Sequence, residues 1–268
     1  MKINEQYQDL MLFANATQTL LKREGDCLEE DVAVLNEHVM DVYLNDRLTL
    51  KIVCVPQHLA ELVLGRLLSE NIIQSAADVE SIYICEYGKR AKVYLKKNAE
   101  SSDMPFVETT PTCCTGNRIL NDYFIDHTEP TPLSPVVWKR EWIFDLADRF
   151  ASDTPLHAET RATHSCFLSR NGQVLFTCED IGRHNALDKA IGYALRHDIP
   201  LGECILYSSG RIPTDMAMKA IRAGIPVLAS KAAPTLQAIS LAEEYGLTLI
   251  CCARRDSMRQ YTGNGPSA

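Results

Sequence analysis

Residues 185–253 read NALDKAIGYALRHDIPLGECILYSSGRIPTDMAMKAIRAGIPVLASKAAPTLQAISLAEEYGLTLICCA. Three helical stretches, NALDKAIGYALRHD, TDMAMKAIRAG and TLQAISLAEEYG, alternate with the short runs CILYS, VLAS and TLICCA. Strands alternating with helices of about 12 residues predict crossover units and a largely parallel sheet. The three runs are apolar at successive positions, as strands covered by helices on both faces require. Upstream, CFLS and QVLFTC predict a hairpin around Arg170-Asn171-Gly172, and WKREWIFDLADRFA a helix. Residues 136–268 are therefore expected to form a three-layer helix–sheet–helix α/β domain.

Residues 1–135 have a different rhythm and are expected to form a smaller α+β region. The run from Leu48 to Val55 reads as a strand. Pro56 then opens a predicted helix with Leu59, Leu62, Val63 and Leu67 on one face. SIYICEYG and RAKVYLKK read as a hairpin turning near Tyr87-Gly88-Lys89. From 98 to 135 the pattern dissolves, and five of the 12 prolines fall there. A loop of that length is usually functional or mobile.

The chain has 268 residues, 46% hydrophobic and 23% charged, which is globular composition. No apolar run approaches the roughly 20 residues of a membrane span, and the N-terminus lacks the basic flank of a secretory leader. A cytoplasmic protein with no membrane partner is expected. The 35 acidic residues exceed the 27 basic ones, giving a net charge of -8, so duplex nucleic acid is not an expected partner. The 10 cysteines include no C-x-x-C pair. In a reducing compartment most of them read as small buried hydrophobes.

Ligands of open α/β sheets bind at the carboxyl ends of the strands. The loops there are EDIGRHN, SGRIPT, SKAAPT and ARRDS, and each carries a cation: Arg183, Arg211, Lys231, or Arg254 and Arg255. Two of them run through Pro-Thr into a helix, whose N-terminus offers free N–H groups. A cationic edge on an acidic protein suits a phosphorylated ligand. His164 and His184 flank this edge, with Asp188 and Lys189 close behind His184. A histidine near a carboxylate serves acid–base chemistry or serves as a cap or packing residue; the sequence leaves both open. His157-Ala158-Glu159 matches the H-x-E of zinc deaminases, but the P-C-x-x-C that completes such a site is missing, so no zinc is expected. Cys113 and Cys114 sit in TTPTCCTGNR, a polar loop near Arg118, where an exposed thiol is a candidate nucleophile.

EDIGRHNALDKAIG, SSGRIPTDMAMKA, ASKAAPTLQAISLAEEYGLTLICCAR and QYTG together resemble the FdhD/NarQ family, the formate dehydrogenase accessory sulfurtransferases. NDRLTLKIVCVPQHLAELVLGRLLSENII agrees, so the resemblance runs from about residue 30 to 262. The resemblance implies a cytidine-deaminase-like C-terminal fold without zinc. It implies a sulfur carrier that takes persulfide sulfur from a cysteine desulfurase and passes it to the molybdenum bis-pterin guanine dinucleotide cofactor of formate dehydrogenase. It also implies a homodimer, a persulfide on Cys113, and cofactor contacts from Cys252, Ala253, Arg254, Arg255, Asp256 and Ser257 beside Arg183, His184 and Arg211. Two places depart from the family. Where the family reads S-C-G-x-C-G, Gly116 stands at the second cysteine, and T-G-G-x-H becomes Thr160-Arg161-Ala162-Thr163-His164. The first departure keeps a rival open, a chaperone that binds the cofactor or a guanine nucleotide without sulfur transfer. A nucleotide hydrolase or deaminase is the third reading.

Overall fold

The structure is a computed structural model, and it describes residues 1–8, 10–96, 108–110 and 129–267. Among the described residues the strands form two six-stranded sheets and a separate hairpin. The first sheet has the order β1-β6-β7-β4-β5-β8, built from β1 (Lys2–Glu5), β4 (His38–Leu44), β5 (Arg47–Cys54), β6 (Val79–Ile84), β7 (Arg90–Leu95) and β8 (Glu108–Thr110). The hairpin is β2 (Phe13–Leu20) with β3 (Leu28–Leu35). Along β4 and β5, Met40, Val42, Leu50, Ile52 and Cys54 point into the core, while Asp41 and Lys51 pair on the open face at 2.8 Å. This period of two is what a sheet with one covered face requires.

The second sheet has the order β10-β9-β11-β12-β13-β14, from β9 (His164–Arg170), β10 (Gln173–Asp180), β11 (Cys204–Ser208), β12 (Val227–Ser230), β13 (Thr248–Cys251) and β14 (Arg259–Gln260). The predicted hairpin and alternation are present. The sheet is less parallel than expected: β11, β12 and β13 are parallel, but β9 joins β11 antiparallel and β14 joins β13 antiparallel. The hairpin turn at 170–172 leaves β9 no other direction once β10 runs with β11.

Successive residues of these strands enter two different cores. Cys166, Leu168, Leu206, Leu228 and Leu249 face α4 (Arg183–Arg196), α5 (Thr214–Arg222) and α6 (Leu236–Tyr245). Phe167, Tyr207, Ala229 and Ile250 face α2 (Arg140–Ser152) and Trp138. The expected helix–sheet–helix layering follows. A short helix, α3 (Pro155–Thr160), sits beside β10, where Glu179 accepts the N–H groups of Leu156 and His157 at 2.9 and 2.7 Å.

The helix predicted after Pro56 is α1 (Leu59–Ser69), and every residue in it is buried. It begins later than expected because His58 takes a left-handed φ of 55°. It is not one-faced, because it lies between the first sheet and α4. A Cβ on Gly65 would fall 1.8 Å from the Asp188 carbonyl oxygen, and one on Gly192 would fall 1.8 Å from that of Glu61. Two glycines thus let the backbones of α1 and α4 touch. Among the described residues, no helix is long and apolar enough to cross a membrane.

Candidate functional site

The carboxyl ends of β11, β12 and β13 lie at one edge of the second sheet. Because β10 and β11 are both antiparallel to β9, β10 ends at that edge and β9 starts there. All four cationic loops and His164 therefore converge, as the sequence predicts. Residues 209–211 cross the edge as a strap. The Gly210 carbonyl accepts from Ser230 Oγ at 2.6 Å, Ser209 Oγ accepts from Ser165 N–H at 2.9 Å, and Ile212 N–H donates to the Ala233 carbonyl at 3.1 Å.

On the α2 side of the strap lies a cavity of about 440 Å³, lined by Arg161, His164, Ser209, Lys231, Arg254 and Phe150, among others. Lys231 Nζ stands 4.1 Å above the Phe150 ring, a cation–π contact that leaves the charge in the cavity. His164 Nδ1 is 3.3 Å from Ser209 Oγ. Burial holds the His164 imidazole below its usual pKa, and the charge of Arg183 adds to the effect, so its neutral form is favoured.

On the helix side lies a cavity of about 460 Å³, lined by Arg183, Arg211, Thr214, Asp215, Pro234 and Thr235, among others. The N-termini of α5 and α6 open into it. Thr235 Oγ1 caps α6 by accepting from Ala238 N–H at 3.3 Å. A Cβ on Gly210 would lie 2.8 Å from the Arg183 Cβ, so the glycine is what lets Arg183 pack across the strap. Behind this cavity His184 Nε2 is 3.3 Å from Asp215 Oδ2. Burial, reinforced by Lys219 and Arg183, pushes the His184 pKa well down.

The carboxylate beside His184 is thus Asp215, which the sequence reading did not single out, rather than Asp188. Asp188 and Lys189 are fully buried in ion pairs of their own. Lys189 Nζ is 2.6 Å from Asp180 and also bonds the carbonyls of Val55 and Glu179. Neither faces the edge. The signal for Asp215 was its place in Pro-Thr-Asp at a helix start.

In the segment from Cys252 to Ser257, Arg254 lines the first cavity. Cys252 is half-buried in a left-handed conformation, φ 52°, and Ala253 is buried with its carbonyl accepting from the Tyr207 hydroxyl at 2.8 Å. Arg255 is exposed and pairs with Asp148 at 3.1 Å, and Asp256 bonds Ser257 at 3.1 Å. Arg255, Asp256 and Ser257 line neither of these two cavities. Cys113 and Cys114 lie outside the described residues. Of the other cysteines, Cys54, Cys166, Cys178, Cys204 and Cys251 are buried, and burial pushes the thiol of Cys204 up to about 11 and that of Cys178 to about 12. They are packing residues at neutral pH, as their apolar surroundings predict. His157 Nδ1 is 2.8 Å from the Thr163 carbonyl and Glu159 is exposed. Among the described residues no three His, Cys, Asp or Glu side chains are grouped to hold a metal ion.

Residues 35–266 match the FdhD/NarQ family. A sulfur carrier protein FdhD from Listeria innocua is 31% identical, over 89% of this chain and 93% of that one. One from Bacillus pumilus is 33% identical, over 90% and 92%. A crystal structure described as a formate dehydrogenase accessory protein, from Desulfotalea psychrophila, superposes with a TM-score of 0.76 at 25% identity. It covers 94% of this chain and 98% of that one. The family match spans most of the chain, and relatives above 30% identity cover about nine-tenths of it: the chain belongs to the FdhD/NarQ family.

Proposed function

We propose that this protein is a sulfur carrier serving formate dehydrogenase, with Cys113 as the residue that bears the sulfur. The observation that carries this reading is the carboxyl edge. Two cavities rich in arginine stand on one edge of a chain whose net charge is -8. Guanidinium groups and helix N-termini are the donors that phosphate oxygens accept from. They fit a molybdenum bis-pterin guanine dinucleotide, the client cofactor in this reading.

Cys113 follows Thr110 by three residues. Thr110 pairs with Ile52 in the first sheet, and the neighbouring Val53 carbonyl and Val55 amide are hydrogen-bonded to Asn185 and Asp180. The strand that precedes Cys113 in the chain thus lies beside residues bonded to the motif that carries Arg183. The Cys113 thiolate attacks the outer sulfur of a persulfide on a cysteine desulfurase. A new S–S bond forms, the donor's S–S bond breaks, and the desulfurase leaves as its thiolate. Arg183, Arg211 and Arg254 hold the phosphates of the cofactor meanwhile, and Asp215, 3.3 Å from buried His184, stands at the cavity wall.

The same reading takes the second domain as a cytidine-deaminase-like arrangement that works without zinc, in a cytoplasmic homodimer. A second reading, a cofactor-binding chaperone without sulfur chemistry, is favoured by Gly116 at the family's second cysteine position. The experiment that separates them is peptide-resolved mass spectrometry after incubation with a cysteine desulfurase and cysteine. The sulfur-carrier reading expects one added sulfur on Cys113, and formate dehydrogenase activity lost on Cys113→Ala in a cell lacking its own carrier. Full activity of Cys113→Ala removes that residue from the chemistry. Cys114→Ala, tested beside it, shows whether the neighbour bears the sulfur instead.

A further inference from the structure

A third cavity, of about 390 Å³, lies away from the carboxyl edge. Because β11 and β12 are parallel, α5 has to carry the chain back from that edge to the start of β12. Arg222 ends α5 about 12 Å from Thr214, so it stands at the opposite end of the second sheet. Helix α1 ends against the same hollow. Asn71, with φ 59°, turns the chain out of that helix, and its N–H donates to the Leu68 carbonyl at 2.9 Å. Glu129 and Thr131, where the chain enters its second half, complete the wall with Gln74. The volume lies within the range of small-ligand pockets, about 300–1,000 Å³.

The wall carries charges of both signs that do not neutralise each other. Among the described residues neither Arg222 nor Glu129 is in an ion pair. Arg222 is half-buried, and its Nη1 is buried with no acceptor. Buried charged donors are ordinarily paired, so an unpaired one beside a hollow points to an acceptor from outside. Gln74 Nε2 donates to Asn71 Oδ1 at 2.7 Å, which leaves the Gln74 carbonyl oxygen to accept. The C-terminal ends of α1 and α5 add partial negative charge. A phosphate at this place would meet Glu129 and two helix C-termini, and a bare cation would meet Arg222. A molecule that carries a carboxylate and an ammonium together satisfies both sides.

We propose that this hollow binds a free α-amino acid, with Arg222 on its carboxylate and Glu129 and the Gln74 carbonyl oxygen on its ammonium. The site is separate from the cationic edge, and it stands whether or not the sulfur-carrier reading does.

Saturation-transfer nuclear magnetic resonance on the full chain, with an equimolar mixture of the protein amino acids at millimolar concentration and low salt, finds the binder. Calorimetry with that amino acid then gives its affinity. Its amide, which lacks the carboxylate charge, and its N-acetyl form, which lacks the ammonium, should each bind about tenfold more weakly or worse, the loss expected for one charge-assisted contact. Arg222→Met keeps the apolar stem and should also weaken binding about tenfold or more. Glu129 is exposed, so Glu129→Gln leaves the fold intact and should weaken binding several-fold; it carries the test together with the two derivatives if Arg222→Met proves unstable. No binding of any amino acid overturns the proposal. So does an amide or an N-acetyl form that binds as tightly as the parent, or an affinity unchanged by Arg222→Met or by Glu129→Gln.

Discussion

Replacing Asp188 by alanine should cost the protein a large part of its stability without touching the binding edge. Asp188 and Lys219 are both fully buried, and Lys219 Nζ stands 2.7 Å from each carboxylate oxygen. Ser69 Oγ donates to the same carboxylate at 2.8 Å, and Arg66, 3.6 Å away, pairs with Glu70 at 2.8 Å. Two cations and two carboxylates make a neutral cluster that joins α1, α4 and α5. Alanine at 188 leaves one positive charge in excess, with Lys219 hydrogen-bonded only to Ser69. Breaking a buried pair from one side costs about 3–5 kcal/mol. Removing both charges, as Asp188→Leu with Lys219→Met, should recover most of that loss, since apolar groups of similar volume replace such pairs at little net cost. Urea unfolding of Asp188→Leu, Lys219→Met and the double variant, beside Asp188→Ala, followed by circular dichroism and tryptophan fluorescence, measures the cycle. Trp138 is buried in the core on the α2 side, so coincident curves show the two cores melting together. A single-variant loss below about 1 kcal/mol, or a double variant as weak as the sum of the singles, would refute the reasoning.

Gly192→Ala and Gly65→Ala each place a Cβ 1.8 Å from a backbone oxygen of the facing helix, so each should lower the urea midpoint by the upper end of the about 1–3 kcal/mol typical of over-packing, or more. An unchanged midpoint for either would mean that α1 and α4 do not touch there. Burial lowers the pKa of His58, His164 and His184 from the ordinary 6.5. Below that value the unfolded chain takes up protons that the folded chain refuses, so stability falls as pH drops from 6.5 toward the folded pKa values. The slope is up to about 1.4 kcal/mol per pH unit for a residue as buried as His184. Urea midpoints between pH 8 and 5 check the sign, and a midpoint that rises on acidification contradicts it. Arg255 is exposed and paired with Asp148 outside both cavities, so Arg255→Ala should leave GDP affinity unchanged and stability within about 0.5 kcal/mol. A tenfold loss of affinity would return this residue to the site.

The second sheet was legible because CILYS, VLAS and TLIC are apolar at every other position twice over, once for each covered face. The positions of the cationic loops followed from sheet topology alone. Helix α1 was legible as a helix but not in its surroundings. Its own pattern shows Glu61, Arg66 and Glu70 as polar residues, and their partners are Arg196 and Asp188 from a distant part of the chain or each other. No local periodicity encodes that. The hairpin of β2 and β3 escaped notice for the opposite reason. Phe13 to Leu20 are exposed throughout, so FANATQTL carries no burial pattern to read. The division of the edge into two hollows depends on three hydrogen bonds to a strap, which residue types do not reveal.

The segment EDIGRHNALDK is the most specific stretch of the sequence, and most of its side chains serve packing. Glu179 holds the start of α3. Asp180 takes the Val55 amide at 3.1 Å, Asn185 donates to the Val53 carbonyl at 2.8 Å, and Lys189 bonds the Val55 carbonyl at 3.0 Å. Asp188 gathers Ser69 and Lys219. The bonds of Asp180, Asn185 and Lys189, and that of Asp188 with Ser69, run from the end of β10 and from α4 to the end of β5 or to α1, so the motif is a joint between the two halves. Only Arg183 and His184 remain for the edge, and both are set by where that joint puts the first turn of α4. In the sulfur-carrier reading the joint has a mechanistic use. It fixes the strand beside which the Cys113 segment begins in the same frame as the arginines that grip the phosphates.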